Sequence, residues 1–327
     1  MSHLPRIAII GAGITGLRLA QRLVAQADVD IFEKSRGFGG RMSTRRAEDF
    51  QFDHGAQYFT AHTAAFREFL TPFLADGTVA RWSPELVDLT AGQASGRAWT
   101  APRYVALPGM NALCKALAVD QKVWRSTRVA AIERVGAAWS LIALDGERYG
   151  PYDWVLCTAP AEQSAQLMPV EFAESDALNT ARMQGCYSLM LGFADPLDTG
   201  WEAAVVRDSP LAWIALNNSK PGRSEATSIL CQSSNDWAEA HLEDDAQAVT
   251  ARLSNALAAA TGLEVGRAQY VSLHKWRFAK VACPAEQPCL VDPQKGLGAA
   301  GDWCGAGRVE AGFNSADALA VAVADCL

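Results

Sequence analysis

Residues 6–41 read RIAIIGAGITGLRLAQRLVAQADVDIFEKSRGFGGR, and this stretch decides the fold. Ile7 to Ile10 form a short apolar run, as expected of a strand covered on both faces. Gly11, Gly13 and Gly16 follow at G-x-G-x-x-G spacing. Leu17, Leu19, Ala20, Leu23 and Val24 then recur at helical intervals. Val29, Ile31 and Phe32 make a second strand that ends in Glu33, 22 positions after Gly11. Each residue type has a physical job. Gly11 permits a tight turn, Gly13 lets a pyrophosphate approach the backbone, and Gly16 lets the helix pack on the strand. The open N–H groups from Ile14 onward and the positive helix end face the phosphates. Glu33 accepts hydrogen bonds from a ribose diol. The expected ligand is therefore a dinucleotide. Gly37, Gly39 and Gly40 allow a second backbone pass beside the pyrophosphate, and Arg41 adds a fixed positive charge.

Length and composition bound the rest. A chain of 327 residues is long enough for two domains and a large core. Half the residues are apolar and 20% are charged, an ordinary globular balance. The net charge of -7 and the lack of a basic block argue against a nucleic-acid partner. No apolar run approaches the roughly 20 residues needed to cross a bilayer, so no membrane partner is expected. Arg6 and the apolar segment after it imitate a signal peptide, but the nucleotide fingerprint explains the same residues. The expectation is a cytoplasmic protein. The eight cysteines show neither C-x-x-C nor a metal spacing with histidine, so no metal is expected.

Further along, Thr63 suits an N-cap before an aromatic stripe at Phe66, Phe69, Leu70, Phe73 and Leu74, with Gly77 ending the helix. Segments 79–82 and 86–89 suggest strands of a second sheet, with turns at Gly92 and Gly96. A strand at 104–107 leads to Pro108-Gly109-Met110, where proline suits a helix start. Segments 127–133 and 139–144 form a hairpin across Gly136, and 153–160 return as a buried strand that stops at proline. Residues 187–193, 203–206, 211–216 and 227–231 are strand-like, with the polar turn 217–223 between two of them. A helix through Val249, Leu253, Leu257 and Ala260 closes at Gly262, and 270–278 is a further strand that carries His274. At the end, a small-residue strand 297–302 terminates in Asp302, and an apolar-faced helix starts at Val309.

Glu33, residues 34–38 and Gly39-Gly40-Arg41 match E-x5-G-G-R without a gap, and here the chain resembles the flavin-containing amine oxidase superfamily. The resemblance implies an α/β fold: a Rossmann-like FAD-binding domain of the amine oxidase/p-hydroxybenzoate hydroxylase type, joined to a second, mixed-sheet α+β substrate domain. On that reading residues 1–60, 105–165 and 283–327 make the FAD domain, and 61–104 and 166–282 make the substrate domain. It implies non-covalent FAD held by Gly11, Gly13, Ile14, Gly16, Glu33, Lys34, Gly40 and Arg41. Ala56 and Gln57 would lie along the flavin ring, Val129 would bracket the adenine, and Asp302 and Val309 would meet the ribityl chain and ring. Cys304 invites the covalent attachment of monoamine oxidases, but lies in a different local motif.

Five ordered matches narrow the resemblance to the renalase branch. They are K-S-R-G-x-G-G-R at 34–41, D-x-G-A-Q-Y-F-T at 53–60, P-G-M at 108–110, H-K-W-R at 274–277 and G-D-W-C-x-x-G-R-V-E at 301–310. This implies an FAD oxidase that takes 2- and 6-dihydro isomers of NAD(P), uses O2 and releases NAD(P)+ and H2O2. Hydride removal from a dihydropyridine restores aromaticity and needs no strong base, which agrees with the lack of a readable triad. Tyr58, Phe59, Thr60, Ala61 and His62 are then expected to shape the substrate pocket. Arg308 is expected to contact the nucleotide, and His274 is the one catalytic candidate. The rivals are an amine oxidase, with Tyr58 and Trp303 as its only evident cage residues, and a non-catalytic escort protein for lipidated GTPases.

Overall fold

The computed structural model describes residues 4–327, so the first three residues of the expected segment 1–60 lie outside the described residues. The first strand, Arg6–Ile10, sits inside a six-stranded sheet. It pairs in parallel with Asp28–Glu33 on one side and Trp154–Cys157 on the other. Lys122–Arg125 and Leu297–Ala299 extend the parallel set, and Leu290–Asp292 closes one edge antiparallel. The unbroken apolar run has the expected cause. Ile7 and Ile9 pack with Leu17, Leu19, Phe313 and Leu319 of the helices Ile14–Leu23 and Val309–Ala324. Ala8 and Ile10 pack on the other side with Ile132, Trp139 and Leu141 of an antiparallel meander, Val129–Val135, Ala138–Ala143 and Arg148–Tyr152. A strand between two apolar layers has no solvent face on which to alternate.

A seven-stranded sheet forms the second layer system. Its order is Tyr270–Cys283, Arg182–Phe193, Thr227–Ser233, Leu211–Leu216, Ala203–Val206, Leu86–Thr90 and Gln93–Gly96. All neighbours are antiparallel except Ala203–Val206 with Leu86–Thr90, so the sheet is mixed. The helix Ala246–Thr261 covers one face through Val249, Leu253 and Leu257, and ends at Gly262 with φ +72°.

Three local expectations are corrected. Residues 79–82 do not join the second sheet; Val79–Arg81 pairs with Tyr104–Ala106 in a separate ribbon. Pro108 does not start a helix; the helix runs Ala112–Leu117. Gly96 is the last residue of a strand, not a turn. Gly96 pairs with Val87 in a local hairpin, whereas Val79–Arg81 finds its partner more than twenty residues on.

The polar turn 217–223 has the opposite environment to most turns. Asn217, Lys220 and Arg223 are all buried. Lys220 Nζ lies 3.2 Å from Asp53 Oδ2, and Arg223 reaches the same oxygen through Nη2 at 2.7 Å and Nε at 3.0 Å. Thr44 Oγ1 and the Met110 amide donate to Asp53 Oδ1 at 2.7 and 3.2 Å. Burial alone would raise the Asp53 pKa; Lys220 and Arg223 reverse that and hold it below the usual carboxylate range. The Asn217 amide also spans the joint, donating to Gln51 O and accepting from the Asp53 N–H.

Removing one partner of a buried ion cluster leaves the others uncompensated. Asp53→Ala is expected to cost about 3–5 kcal/mol of folding free energy. Lys220→Met should cost clearly less, because Arg223 still satisfies the carboxylate. Urea unfolding of the two variants checks the order; equal losses would contradict it.

Candidate functional site

A cavity of about 1790 Å³ runs between the two sheets. Its lining includes Glu33, Thr127, Arg128 and Val129, the glycines Gly11, Gly13, Gly39 and Gly40, residues 54–60 and 274–280, and Arg308. The strand ends and loops that border it are the elements expected to bind the dinucleotide.

The glycines show which groups the cavity needs. Gly16 is set by packing: an added Cβ would lie 2.0 Å from the Gly11 carbonyl oxygen. Gly13 has ordinary φ of -81°, and an added Cβ would meet nothing closer than Gly39 O at 4.0 Å. The protein alone does not require glycine there; a ligand against the backbone does. The two glycine turns are joined by the Gly39 amide, which donates to Ala12 O at 3.0 Å.

The helix ends give a second test. Among the described residues four helices have ten residues or more. Thr63 and Asp245 cap Ala64–Ala75 and Ala246–Thr261 with their side chains. Ile14–Leu23 and Val309–Ala324 have no side-chain cap, and Ile14 and Val309 at their starts border the cavity. Two uncapped N-termini aimed at one space suit the pyrophosphate and an electron-rich ring edge. Glu33 is 6% exposed; its Oε2 accepts from the Ala12 amide at 2.9 Å and its Oε1 from Ser35 at 2.7 Å. Each oxygen retains a lone pair for a ribose diol.

These residues fit FAD, and the chain's cofactor is FAD, bound without a covalent link. Cys304 is buried, its thiol pushed up to about 12 chiefly by burial, and it does not border the cavity. Arg41 and Asp302 face the cavity paired with each other: Nη1 to Oδ2 at 2.8 Å and Nη2 to Oδ1 at 2.5 Å. The planar fork fixes both side chains and ties the second glycine turn to the C-terminal strand end. Lys34 borders the same space and donates to Gln163 at 3.1 Å. Ala56 and Gln57 line it as well, and Gln57 Oε1 accepts from buried Lys220 at 3.2 Å.

The expected substrate residues divide. Tyr58, Thr60, His62 and Arg308 face the cavity, and Thr60 Oγ1 and Arg308 Nη1 lie 3.0 and 3.4 Å from His62 Nε2. Phe59 reaches the wall but is 3% exposed, its ring packed on Phe66 and Tyr104. Ala61 does not reach the cavity and packs into the core instead, which corrects its assignment. Trp303 is fully buried and donates to Ala159 O at 3.0 Å, so it is not a cage residue. The rings that do gather beside Tyr58 are Trp82, Trp99 and Trp213, with Arg103 against them.

His274 borders the cavity with His54, which sequence reasoning passed over although it sits inside the D-x-G-A-Q motif. The two rings are edge-to-face at 4.9 Å, and Trp276 stacks on His54 at 5.3 Å. Burial pushes both imidazoles down to about 4, with Arg45 contributing to each and His274 to His54. Both are neutral at pH 7. This geometry suits His274 to ring contact and hydrogen bonding rather than to work as a cationic acid.

The charge of the cavity departs from that of the chain. Lys34, Arg36, Arg41, Arg45, Arg46, Arg103, Arg128, Lys280 and Arg308 border it; Lys275 and Arg277 border it too, but their charged ends bond the Leu242 carbonyl and Glu243 outside it. Glu33 and Asp302 are its only carboxylates among the described residues. The chain as a whole carries 36 acidic and 29 basic residues.

Two outcomes follow. In deflavinated protein Gly13→Ala should fold within about 1 kcal/mol of wild type, the scale of losing glycine at an N-cap. It should nevertheless bind FAD at least about tenfold more weakly, a loss of ~1.4 kcal/mol. Gly16→Ala should destabilise the apoprotein itself. A Gly13→Ala protein with wild-type FAD affinity, by fluorescence titration, would contradict the site. Second, His54 carries a lowered folded-state pKa, so the unfolded chain binds the extra proton between about pH 6.5 and 4. Stability is lost as pH falls through that window, at on the order of 1 kcal/mol per pH unit for this group. His54→Asn should flatten that part of the urea-midpoint profile; an unchanged slope would show that the imidazole titrates normally.

The comparisons with known proteins agree with this geometry. The model of the NAD(P)-binding Rossmann-like domain matches residues 9–73, and that of flavin containing amine oxidoreductase matches 87–324. A crystal structure assigned as protoporphyrinogen oxidase from Exiguobacterium sp. 255-15 superposes with a TM-score of 0.76 at 13% identity, covering 98% of each chain. Putrescine oxidase bound to putrescine superposes with a TM-score of 0.73 at 11% identity, covering 98% of this chain and 99% of that one. At these identities the likeness is one of fold. The 4,4'-diapophytoene desaturase of Staphylococcus aureus (strain Newman) is 49% identical over 51 residues. That match spans 15% of this chain and 10% of the desaturase. With most of its length matched by the family's own pattern, the chain belongs to the flavin containing amine oxidoreductases.

Proposed function

We propose that this protein is a renalase-like oxidase that takes a hydride from 2- or 6-dihydro isomers of NAD(P), forming NAD(P)+, with O2 as final acceptor and H2O2 as product. The charge of the cavity carries this reading. FAD brings two phosphates, yet basic side chains from several segments border the cavity, among them Arg45, Arg103, Lys280 and Arg308. A second phosphate-bearing molecule accounts for that excess, whereas an ammonium substrate would enter against it.

When bound, FAD supplies the two-electron acceptor. The chain's own residues need only orient the donor and keep water out. Neutral His54 and His274 offer aromatic edges and hydrogen bonds in the cavity wall without adding charge. Thr60, His62 and Arg308 form a polar run at the opening, suited to a carboxamide or phosphate. No strong base is required, because losing hydride leaves an aromatic pyridinium. Oxidation of a small amine is the second reading. The rings of Tyr58, Trp99 and Trp213 favour it, since clustered aromatic faces attract ammonium groups.

The test is the anaerobic visible spectrum of the purified protein with 6-dihydro-NAD and, separately, with primary and secondary amines. Loss of the oxidised-flavin band with the dihydronicotinamide, recovering in air with H2O2 formed, is the expected result. Bleaching by amines alone would transfer the assignment to amine oxidation.

A further inference from the structure

Arg103 stands directly before the strand Tyr104–Ala106, and its own carbonyl accepts the Trp82 amide at 3.0 Å, so its backbone is fixed. The guanidinium carbon lies 3.3 Å from the centroid of the Trp99 ring and 4.9 Å from that of Tyr58. Tyr58 touches Trp99 and Trp213 in turn, each at 5.7 Å between centroids. Arg103, Tyr58 and Trp213 all border the cavity. Nη1 donates to Ala101 O at 3.0 Å, whereas buried Nε has no partner. Among the described residues no carboxylate pairs with Arg103.

Aromatic faces around a pocket recognise alkylammonium groups through the ring quadrupole. Here that seat holds a cation already, tethered to the chain. An incoming ammonium would meet both an occupied seat and a like charge. The same guanidinium is planar, stacked and short of acceptors, the state in which arginine best receives phosphate or carboxylate.

We propose that Arg103 is the specificity-determining residue of the substrate pocket, excluding amines from the aromatic cluster and receiving an anionic group of the donor. With the dihydronicotinamide reading, on which the identity of that anion rests, the group is a phosphate of the dinucleotide. The residue acts on substrate choice and holds no reacting atom.

The experiment is calorimetric titration of the FAD-saturated protein, as wild type, Arg103→Lys and Arg103→Met, with NAD+, nicotinamide riboside, inorganic pyrophosphate and benzylammonium. The lysine variant keeps the charge and loses the planar stack; the methionine variant keeps bulk and loses the charge. NAD+ and pyrophosphate should bind Arg103→Met about tenfold or more weakly, a charge-assisted hydrogen bond being at stake, with a smaller loss in Arg103→Lys. The riboside, which lacks phosphate, should bind Arg103→Met no more weakly than wild type. Benzylammonium should bind measurably only to Arg103→Met. Unchanged discrimination between anions and benzylammonium in Arg103→Met, in a protein with wild-type melting temperature, would overturn the proposal. Should Arg103→Met lose discrimination while NAD+ binds wild type no better than pyrophosphate, Arg103 keeps its role and the dinucleotide reading falls.

Discussion

A single buried carboxylate joins the two halves of this molecule. Asp53 directly follows the short hairpin Arg45–Ala47/Phe50–Phe52, and it meets Lys220 and Arg223 from the turn that follows a strand of the other sheet. All three side chains are fully removed from solvent. One negative charge therefore answers two positive ones where water cannot help, and Gln57 Oε1, Asn217 Oδ1 and Pro221 O accept the remaining donors of Lys220 and Arg223. The geometry tolerates little displacement. Together with the bonds from Ser188 and Trp276 to His54 O and from Gln232 to Gly55 O, it positions residues 54–60, part of the cavity wall, against the second sheet. Lys220 is pushed down to about 8 by burial, only partly offset by Asp53, which shows how costly its charge is in that place.

The cavity inherits this positioning. On one side, two uncapped helix starts, Glu33 and the paired Arg41 and Asp302 make a cradle for FAD. On the other, aromatic rings and basic side chains line the wall. The division explains a chain that is acidic overall but basic where it is hollow. Charges spread over the outer surface keep a protein soluble, whereas like charges gathered in a low-dielectric cleft focus a field on what enters. Burial, with the Arg45 charge as a lesser contribution, keeps the imidazoles of His54 and His274 neutral in this cleft.

Much of the cofactor half was legible in sequence because its parts are local. The glycine turns, Glu33 and Asp302 each sit at a fixed distance from a strand that announces itself by an apolar run. The strands of the second sheet were legible for the same reason, through length and composition. What escaped has one cause: it is assembled from distant segments. Asp53 and Lys220 are 167 positions apart, and nothing in the polar stretch 217–223 tells a surface turn from a buried ion cluster. Trp99, Arg103 and Trp213 come together only after the ribbon 79–81/104–106 and the second sheet have formed. His54 was visible in its motif, but its neighbour His274 lies on another strand, and their contact carries the meaning. Ala61 and Trp303 were assigned by proximity to a motif, and side-chain direction took them elsewhere.

The central claim is that the cavity selects a polyanionic electron donor. Its most direct measurement is the second-order rate constant of anaerobic flavin reduction by 6-dihydro-NAD as a function of ionic strength. Attraction between a basic cleft and a phosphate-bearing donor predicts a rate constant that falls steadily as salt rises and the screening length shrinks. A rate constant that is flat or rises with salt would contradict the account, because the basic side chains would then play no part in bringing the donor in.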